Sequence, residues 1–200
     1  RANRTSFAEI ITSEMGKPLS EAELEVDKCA LLCEYYAENS RNFLRDKSIK
    51  SNAVKSFISY KALGVILGVM PWNFPFWQVF RFAVPSLVAG NSVVIKHAPN
   101  VQGSAVAIEK IFHSCGLPVD ILRILMIGVD LVPDLISDRN IKAVSFTGSG
   151  AAGSRVAELS GKNIKKTVLE LGGSDAFVVL KDASLQACVD AAVSGRMLNC

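Results

Sequence analysis

Asn73 follows a stretch of chain that has the composition of a buried strand. Residues 64–70 are almost entirely apolar, as in parallel strands that are covered on both faces. Pro71 and Pro75 restrict the backbone on either side of Asn73 and bias the residues before them toward extended geometry. Such a turn holds the Asn73 amide in place before any ligand arrives, so we predict that this amide contacts a ligand. A loop asparagine that bonds to its own backbone is the alternative interpretation.

A glycine-rich loop is the second segment that could do chemistry. Residues 148–153 satisfy the pattern G-x-G-x-x-G directly after a predicted strand at 142–147, and Glu170 follows about twenty positions later. In the standard dinucleotide fingerprint, the glycines admit a pyrophosphate to a helix N-terminus and the acidic residue binds the adenine ribose. That fingerprint lies in the first βα unit of its sheet, whereas three βα units precede this loop. The standard interpretation is therefore open but not favoured.

The motifs of this chain resemble those of the aldehyde dehydrogenase family, in the family's order and over nearly the whole sequence. Residues 71–75 match a motif at a strand exit, in which the asparagine amide helps to form an oxyanion hole. The resemblance implies that Asn73 stabilises a negatively charged oxygen formed on the substrate. It also implies that Met70, Pro71 and Trp72 lie at the cofactor.

The glycine-rich loop fits the same family. Phe146, Gly148, Ser149 and Gly153 match a Phe-Thr-Gly-Ser loop with a second glycine five residues after the first. Gly150 lies inside this predicted cofactor loop but is incidental to the family pattern. Under either interpretation, a helix N-terminus and a short hydroxyl side chain are offered to phosphate, so we expect NADP or NAD to bind here.

Glu170 has a different role in the family interpretation. Glu170, Leu171 and Gly172 match a Glu-Leu-Gly-Gly motif, whose glutamate is a general base and whose next residues pass close to the nicotinamide. A carboxylate at a strand end can reach a water beside the reacting carbon. The alternative from the residues alone is a Glu170 that ends a strand and pairs with Lys165 or Lys166.

Three further residues concern the adenosine end of the cofactor. Lys96 matches the family's lysine that approaches the adenosine ribose, and Gly128 matches its glycine near the adenine. Many NAD-preferring members have a glutamate three residues after the lysine, where it repels a 2′-phosphate, but this chain has Pro99 there. We therefore predict that NADP is accepted at least as well as NAD. His97 is given no catalytic role, because a loop histidine that packs on the adenine edge is as plausible as any specific bond.

Arg81 concerns the class of substrate. It lies eight residues after Asn73, where succinate-semialdehyde dehydrogenases of this family have an arginine that binds the distal carboxylate. The resemblance implies that succinate semialdehyde or a similar small acidic aldehyde is oxidised to the acid. An exposed arginine on a crossover helix has equal weight. Trp77 and Trp72 are candidates for lining the substrate tunnel, although aromatic residues beside a buried strand more often pack.

The family's nucleophile is a cysteine reached through Asn-x-Gly-Gln-x-Cys. Asn199 and Cys200 match the start of this motif, which places the nucleophile four residues beyond Cys200 rather than at it. We therefore expect the chain to be a piece of a longer enzyme, which on its own binds cofactor at most. Ser174 is a further departure, because many relatives have a lysine there.

Two other classes of function stay open. One is a standard Rossmann reductase that binds NAD(P) through the loop at Gly148. The other is a non-catalytic binding module. Substitution of Glu170 separates the reductase from an aldehyde dehydrogenase, because it would weaken cofactor binding in the first and slow thioester hydrolysis in the second.

Composition narrows the classes of protein. Of 200 residues, 50% are hydrophobic and 20% charged, which indicates one large or two small globular domains. The net charge of +3 is spread along the chain, so no basic stripe for nucleic acid is expected. No apolar run approaches the roughly 20 residues of a membrane span, and we expect a soluble, cytoplasmic protein. The 5 cysteines have no metal-ligand spacing, so we predict reduced thiols, mostly buried, and no metal.

Hydrophobic periodicity predicts an α/β fold, with a Rossmann-like parallel sheet covered by helices on both faces. N-terminal helices and a polar bridging strand precede the sheet, and a capping box of Ser20 and Glu23 is expected to start the second helix. Strands are predicted at 47–61, 65–70, 92–96, 121–127, 142–147, 166–171 and 176–180. Helices are predicted at 3–15, 20–43, 77–89, 102–114, 130–138, 149–160 and 185–198.

The predicted organisation has four parts. Residues 1–46 form the helical beginning of the cofactor domain, and 47–62 form a bridging strand that serves subunit assembly. Residues 63–183 form the NAD(P)-binding domain, and 184–200 lead toward a catalytic domain. The parent enzyme is expected to be a homo-oligomer, a dimer or tetramer, that acts on a small-molecule aldehyde.

Overall fold

The computed structural model describes residues 1–199, which contain strands and helices in the alternation expected of an α/β fold. The strands are β1 (Lys47–Ser48), β2 (Phe57–Ile58), β3 (Val65–Val69), β4 (Ser92–Lys96), β5 (Leu122–Ile124), β6 (Ile141–Gly148) and β7 (Lys166–Leu171). The helices are α1 (Arg4–Met15), α2 (Leu19–Leu44), α3 (Pro75–Val88), α4 (Gln102–Ser114), α5 (Val132–Ser137), α6 (Gly150–Lys162) and α7 (Leu185–Met197).

Five parallel strands form the main sheet, in the order β5-β4-β3-β6-β7. The chain runs outward from β3 through β4 to β5 and then returns to the other side of β3 for β6 and β7. The strand order therefore reverses between β3 and β6. In open parallel sheets, ligands bind at the carboxyl ends of the strands beside such a reversal.

Helices cover both faces of the sheet. Ile66, Val93 and Ile95 pack in the core cluster of α3 and α4, whereas Leu67 and Val94 point into the cluster on the side of α5 and α6. Alternate residues of one strand thus face different layers, and both positions are apolar. This explains why β3 and β4 have almost continuous apolar sequences.

The N-terminal helices α1 and α2 form a further layer outside α3 and α4. Phe7 of α1 contacts Phe76 of α3 across the two layers at a centroid distance of 5.5 Å, and the row of rings continues along α3 to α4 at 6.4 Å for Phe76–Phe80 and 5.4 Å for Phe80–Phe112. The start of α3 is therefore held from the side of α1 and α2. Within residues 1–199, no helix has both the length and the apolar character that crossing a membrane requires.

Gly68 fixes the position of α3 relative to β3. A Cβ atom at this residue would lie 2.4 Å from the Phe82 ring, so only glycine allows the helix to approach the strand this closely. Because α3 begins directly after the turn at Asn73, this contact also fixes the helix that follows that turn.

The predicted strand at 176–180 is wrong. This segment has no regular structure, and Phe177 and Val178 are exposed. A strand needs a hydrogen-bonded neighbour, and within the described residues β7 pairs only with β6. The segment has the apolar sequence of a strand, but within the described residues it has no neighbouring strand to which its backbone could hydrogen-bond.

Three other local predictions need correction. The bridging strand expected at 47–61 is reduced to β1 and β2, two residues each, which pair antiparallel with one another. The capping box is absent, because α2 begins after Pro18 and the Glu23 carboxylate accepts hydrogen bonds from Arg4 and Thr5 of α1. The strand expected at 121–127 is shortened to β5, and short 3-10 turns precede β5 and α5.

Candidate active site

Three strand ends meet at one cleft of about 400 Å³. The chain leaves β3 toward Asn73, leaves β6 toward Ser149, and passes Glu170 at the end of β7. The predicted site residues that line the cleft are Pro71, Trp72, Asn73, Arg81, Gly148, Ser149, Glu170, Leu171 and Gly172. The structure therefore brings together the predicted oxyanion donor, the predicted general base and the glycine-rich loop.

The Asn73 side chain has an oxygen, Oδ1, that is buried and has no hydrogen-bond partner among the described residues. This oxygen is therefore not bonded to the backbone of its own loop, as the alternative interpretation required. An amide held in a cleft with an unpaired buried atom is available to a ligand or to another part of the protein. The Asn73 backbone carbonyl, by contrast, accepts a hydrogen bond of 3.1 Å from Asn199 Nδ2.

His97 stiffens the same turn from the side of β4. Its Nε2 lies 2.9 Å from the Pro75 carbonyl oxygen, and its Nδ1 accepts a 2.9 Å hydrogen bond from the Ala98 N–H. This arrangement is that of the neutral tautomer with the proton on Nε2. Burial is the main cause that lowers the pKa of His97, and nearby Lys96 acts in the same direction. His97 is fully buried, so it does not pack on a ligand.

The N-terminus of α6 opens toward the cleft. Ser149 is its N-cap, and the Ser149 hydroxyl accepts a 3.3 Å hydrogen bond from the Ala152 N–H. A Cβ atom at Gly153 would lie 2.4 Å from the end of the exposed Leu171 side chain, so a larger residue here would displace that side chain. A helix start of this kind attracts phosphate through its N–H groups and its dipole.

The starts of α3 and α4 are occupied by carboxylates of the protein itself. Glu25 accepts hydrogen bonds from the first turn of α3, at 2.8 Å from Phe76 N and 2.9 Å from Trp77 N. Glu14 accepts from Gly103 N at 2.5 Å and from Ser104 N at 2.8 Å in the first turn of α4. No such carboxylate fills the start of α6 in the described part of the chain. Of these three helix starts, the one at α6 is therefore the one at which an external anion would find free N–H groups.

Glu170 forms an ion pair with Arg81, in which Arg81 Nη2 lies 3.0 Å from Glu170 Oε2. The alternative pairing of Glu170 with Lys165 is not formed, because Lys165 Nζ donates to the carbonyl oxygens of Ile136 and Asp138. The predicted substrate-binding arginine and the predicted general base are thus in contact. Both side chains are partly exposed, so this pair can exchange partners at low cost.

Lys96 is the last residue of β4, and Pro99 and Gly128 follow the ends of β4 and β5, on the other side of β3 from the glycine-rich loop. Lys96 is buried, makes no ion pair within the described residues, and has its pKa lowered by burial. Pro99 is exposed. A buried cation without a counter-ion is a fitting neighbour for the phosphate or hydroxyl groups of an adenosine ribose.

Eight predicted cofactor or substrate residues do not line the cleft. Lys96, Pro99, Gly128 and Gly153 are described above, and the other four lie as follows. Met70 and Phe146 are buried in the two core clusters. Gly150 lies at the start of α6, where a Cβ atom would have no other atom within 4 Å. Trp77 lies on α3 and packs against α2, where Lys28 Nζ is 3.9 Å from its ring centroid, whereas Trp72 is exposed in the cleft.

The cysteines that the structure describes do not line this cleft. Cys29, Cys33, Cys115 and Cys188 are free thiols, as predicted, but the prediction that they are mostly buried is wrong, because of these four only Cys29 is buried. Burial raises the pKa of Cys29 and Cys33, which makes them poor nucleophiles. Cys200, which was not predicted to be the nucleophile, lies outside the described residues.

Two buried charges near the cleft, Lys17 and Glu25, were not among the predicted site residues. Glu25 lies on the buried face of α2 together with Ala22, Val26 and Cys29. A carboxylate at helical spacing among small apolar residues is a sequence signal for a buried polar contact. Its partners on α3 are far away in the sequence and could not be read from that signal.

A parallel sheet with a reversal of strand order, an open helix start and flanking basic and acidic side chains is the arrangement found in dinucleotide-binding domains. The family model of the aldehyde dehydrogenase family matches residues 1–200. The chain belongs to this family.

Curated relatives that match nearly the whole of this chain are named succinate-semialdehyde dehydrogenases. The chain is 50% identical over 196 residues to a probable succinate-semialdehyde dehydrogenase [NADP(+)] of Synechocystis sp., covering 98% of this chain and 43% of the relative. It is 46% identical over 199 residues to succinate semialdehyde dehydrogenase [NAD(P)+] Sad of Escherichia coli, covering 100% of this chain and 43% of the relative. The chain thus spans less than half the length of these relatives.

A solved structure of succinic semialdehyde dehydrogenase from Streptococcus pyogenes, in complex with NADP+ as the cofactor, superimposes on this chain with a TM-score of 0.95. Its sequence identity is 38%, and the match covers 100% of this chain and 44% of that one. The predicted Rossmann-like α/β fold is confirmed.

Proposed function

We propose that this chain forms the cofactor-binding part of an NADP-dependent enzyme that oxidises succinate semialdehyde, or a similar small acidic aldehyde, to the acid. The observation that carries the proposal is the meeting of Asn73, Glu170 and the start of α6 in one cleft. The relatives of this chain are named for this substrate and cofactor. We use "the longer enzyme" for this chain extended to the full length of those relatives.

In the proposed reaction, a cysteine thiolate supplied by the longer enzyme attacks the aldehyde carbon, and the carbonyl oxygen becomes an oxyanion. The Asn73 amide donates a hydrogen bond to this oxygen, and because its turn is already rigid, little reorganisation is needed. Bound NADP+ supplies the acceptor for the hydride that leaves the same carbon, which gives a thioester. Glu170 then takes a proton from a water molecule that attacks the thioester, which releases the acid and the thiol.

The residues present fit a dinucleotide. The start of α6, with the Ser149 cap and Gly153, would hold the pyrophosphate. Lys96 would hold the adenosine ribose, because it is a buried cation without a counter-ion in the described residues. At Pro99 no carboxylate is available to repel a 2′-phosphate.

Cofactor choice gives the first test. The dissociation constant for NADP+ is expected to be no larger than that for NAD+, because only neutral or cationic groups are proposed at the ribose. Pro99→Glu should weaken NADP+ binding by about tenfold, or 1.4 kcal/mol, and leave NAD+ binding unchanged or tighter. Titration calorimetry on the chain measures both constants.

Pro99→Gln is the matched control for cofactor choice, since it changes the backbone and the size of the side chain as Pro99→Glu does but adds no charge. It should leave NADP+ affinity near that of the unmodified chain. A preference of about tenfold or more for NAD+ in the unmodified chain contradicts the proposal.

Arg81 gives the test of substrate class. In the longer enzyme, Arg81→Met should raise KM for succinate semialdehyde about 10- to 100-fold, because charge-assisted hydrogen bonds to the distal carboxylate are lost. Butanal has the same chain length but no carboxylate and serves as the comparison substrate. Its kinetics also report any effect that reaches the reaction through Glu170. Equal losses for both aldehydes would show that Arg81 does not recognise the carboxylate.

A further inference from the structure

Lys17 and Glu25 form an ion pair inside the protein, between the loop that joins α1 to α2 and the second turn of α2. Lys17 is 0% and Glu25 3% exposed. Removing two charges from water is costly, and apolar residues of the same size usually stabilise a core at least as well. The pair therefore invites an explanation other than stability.

The contacts of the pair converge on the turn that holds Asn73. Glu25 Oε1 accepts hydrogen bonds from Phe76 N and Trp77 N, at 2.8 and 2.9 Å, while Oε2 bonds to Lys17. Lys17 Nζ also lies 3.8 Å from the centroid of the Phe74 ring. The residues contacted directly follow Asn73 in the chain.

These contacts account for the donors of the first turn of α3. Pro75 has no N–H, Phe76 and Trp77 donate to Glu25, and Gln78 N donates to the Phe74 carbonyl at 3.0 Å. The Pro75 carbonyl in turn accepts from His97. The chain directly after Asn73 is therefore tied to α2 through Glu25 and to β4 through His97. Of these two connections, the one through Glu25 involves a charged group, since its carboxylate accepts the hydrogen bonds and is paired with Lys17.

We propose that the buried Lys17–Glu25 pair is a positioning device for Asn73, which sets the place of the oxyanion-binding amide by fixing the start of α3. This inference rests on the proposed aldehyde oxidation. Neither residue lines the cleft, so both act through the turn rather than on the substrate. Glu14 provides a natural comparison, because it caps α4 in the same way but does not contact the Asn73 turn.

The test follows the pre-steady-state burst of NADPH in the longer enzyme, whose rate reports attack on the aldehyde and hydride transfer. Glu25→Gln should slow the burst about 10- to 100-fold, the range expected when a catalytic group is misplaced by about 1 Å. The dissociation constant for NADP+ should not change. Glu14→Gln, the matched loss of a helix cap, should leave the burst rate unchanged.

A double-mutant cycle identifies the route of the effect. If Glu25 acts through Asn73, the variant Glu25→Gln/Asn73→Ala should be no slower than Asn73→Ala alone. Additive losses, or an unchanged burst in Glu25→Gln, would overturn the positioning role. Failure of the unmodified longer enzyme to form any NADPH from NADP+ and succinate semialdehyde would instead contradict the proposed function.

A second variant covers the case in which Glu25→Gln strands the Lys17 charge and fails to fold. Lys17→Met/Glu25→Leu leaves no unpaired charge and no acceptor for the two N–H groups, so it should bind NADP+ normally and still show the slow burst. Loss of NADP+ binding in both variants would overturn the proposal, because the pair would then be needed for the whole domain.

Discussion

Glu170→Gln in the longer enzyme is expected to keep its first turnover and to lose about 10²- to 10⁴-fold in steady-state turnover. Glutamine can hold a water molecule near the thioester but cannot take its proton. Oxidation of the aldehyde comes before this step, so a burst of NADPH equal to the concentration of active sites should remain. Rapid mixing of enzyme, NADP+ and succinate semialdehyde measures the burst and the later slow phase together.

Glu170→Gln also breaks the ion pair with Arg81, so a control must separate the two effects. Arg81→Met breaks the same pair but leaves the carboxylate, and with butanal as substrate it should retain steady-state turnover. If Glu170→Gln loses its affinity for NADP+ while hydrolysis is unaffected, the carboxylate binds ribose and the enzyme is a standard Rossmann reductase. If burst and turnover disappear together, Glu170 acts before hydrolysis.

Asn73→Ala is expected to reduce the burst rate and kcat by about 10²- to 10³-fold, the usual cost of removing one oxyanion donor. NADP+ binding should be unchanged, since the start of α6 and Lys96 are not altered. The alanine variant should also bind the aldehyde in the ground state nearly as well, because the hydrogen bond is needed chiefly when the oxygen is charged. Stopped-flow rates and KM values from the same preparation give this separation.

Asn73→Asp is a more specific test of whether this side chain meets a negatively charged oxygen. It keeps the size of the side chain but places a negative charge where the oxyanion would form, so it should be at least as slow as Asn73→Ala. A fast Asn73→Asp enzyme would show that the amide does not meet a developing negative charge. The role of Asn73 would then be limited to the structure of its turn.

Most helices and strands were predicted from the hydrophobic periodicity of the sequence, because residues close together in the chain determine whether a segment forms a helix or a strand. The bounds of β4, α4 and β7 agree with the predicted ranges, and the alternating strands and helices were sufficient to predict a parallel sheet. The failures lie where a partner decides the structure. Residues 176–180 have a strand-like composition but no neighbouring strand in the described chain. The Glu23 carboxylate accepts a hydrogen bond from Arg4 of α1 instead of from the start of its own helix.

The candidate site was predicted in part for the same reason. Asn73, the loop at Gly148 and Glu170 are motifs within short segments, and the sheet then brought them to one cleft. The contact between Arg81 and Glu170 joins residues far apart in the sequence, as does that between Glu25 and the start of α3. No spacing rule predicts such contacts, since they depend on how the helices are placed on the sheet.

The carboxylates at the starts of α3 and α4 have a consequence for every variant made there. Each acts as a built-in counter-ion, so its removal opens a vacant anion site at a helix dipole instead of merely deleting a contact. Sulfate or phosphate from a buffer would refill the exposed vacancy left by Glu14 far more readily than the buried one left by Glu25. The measured properties of the Glu14 variants should therefore depend on whether the buffer contains sulfate or phosphate, and those of the Glu25 variants much less.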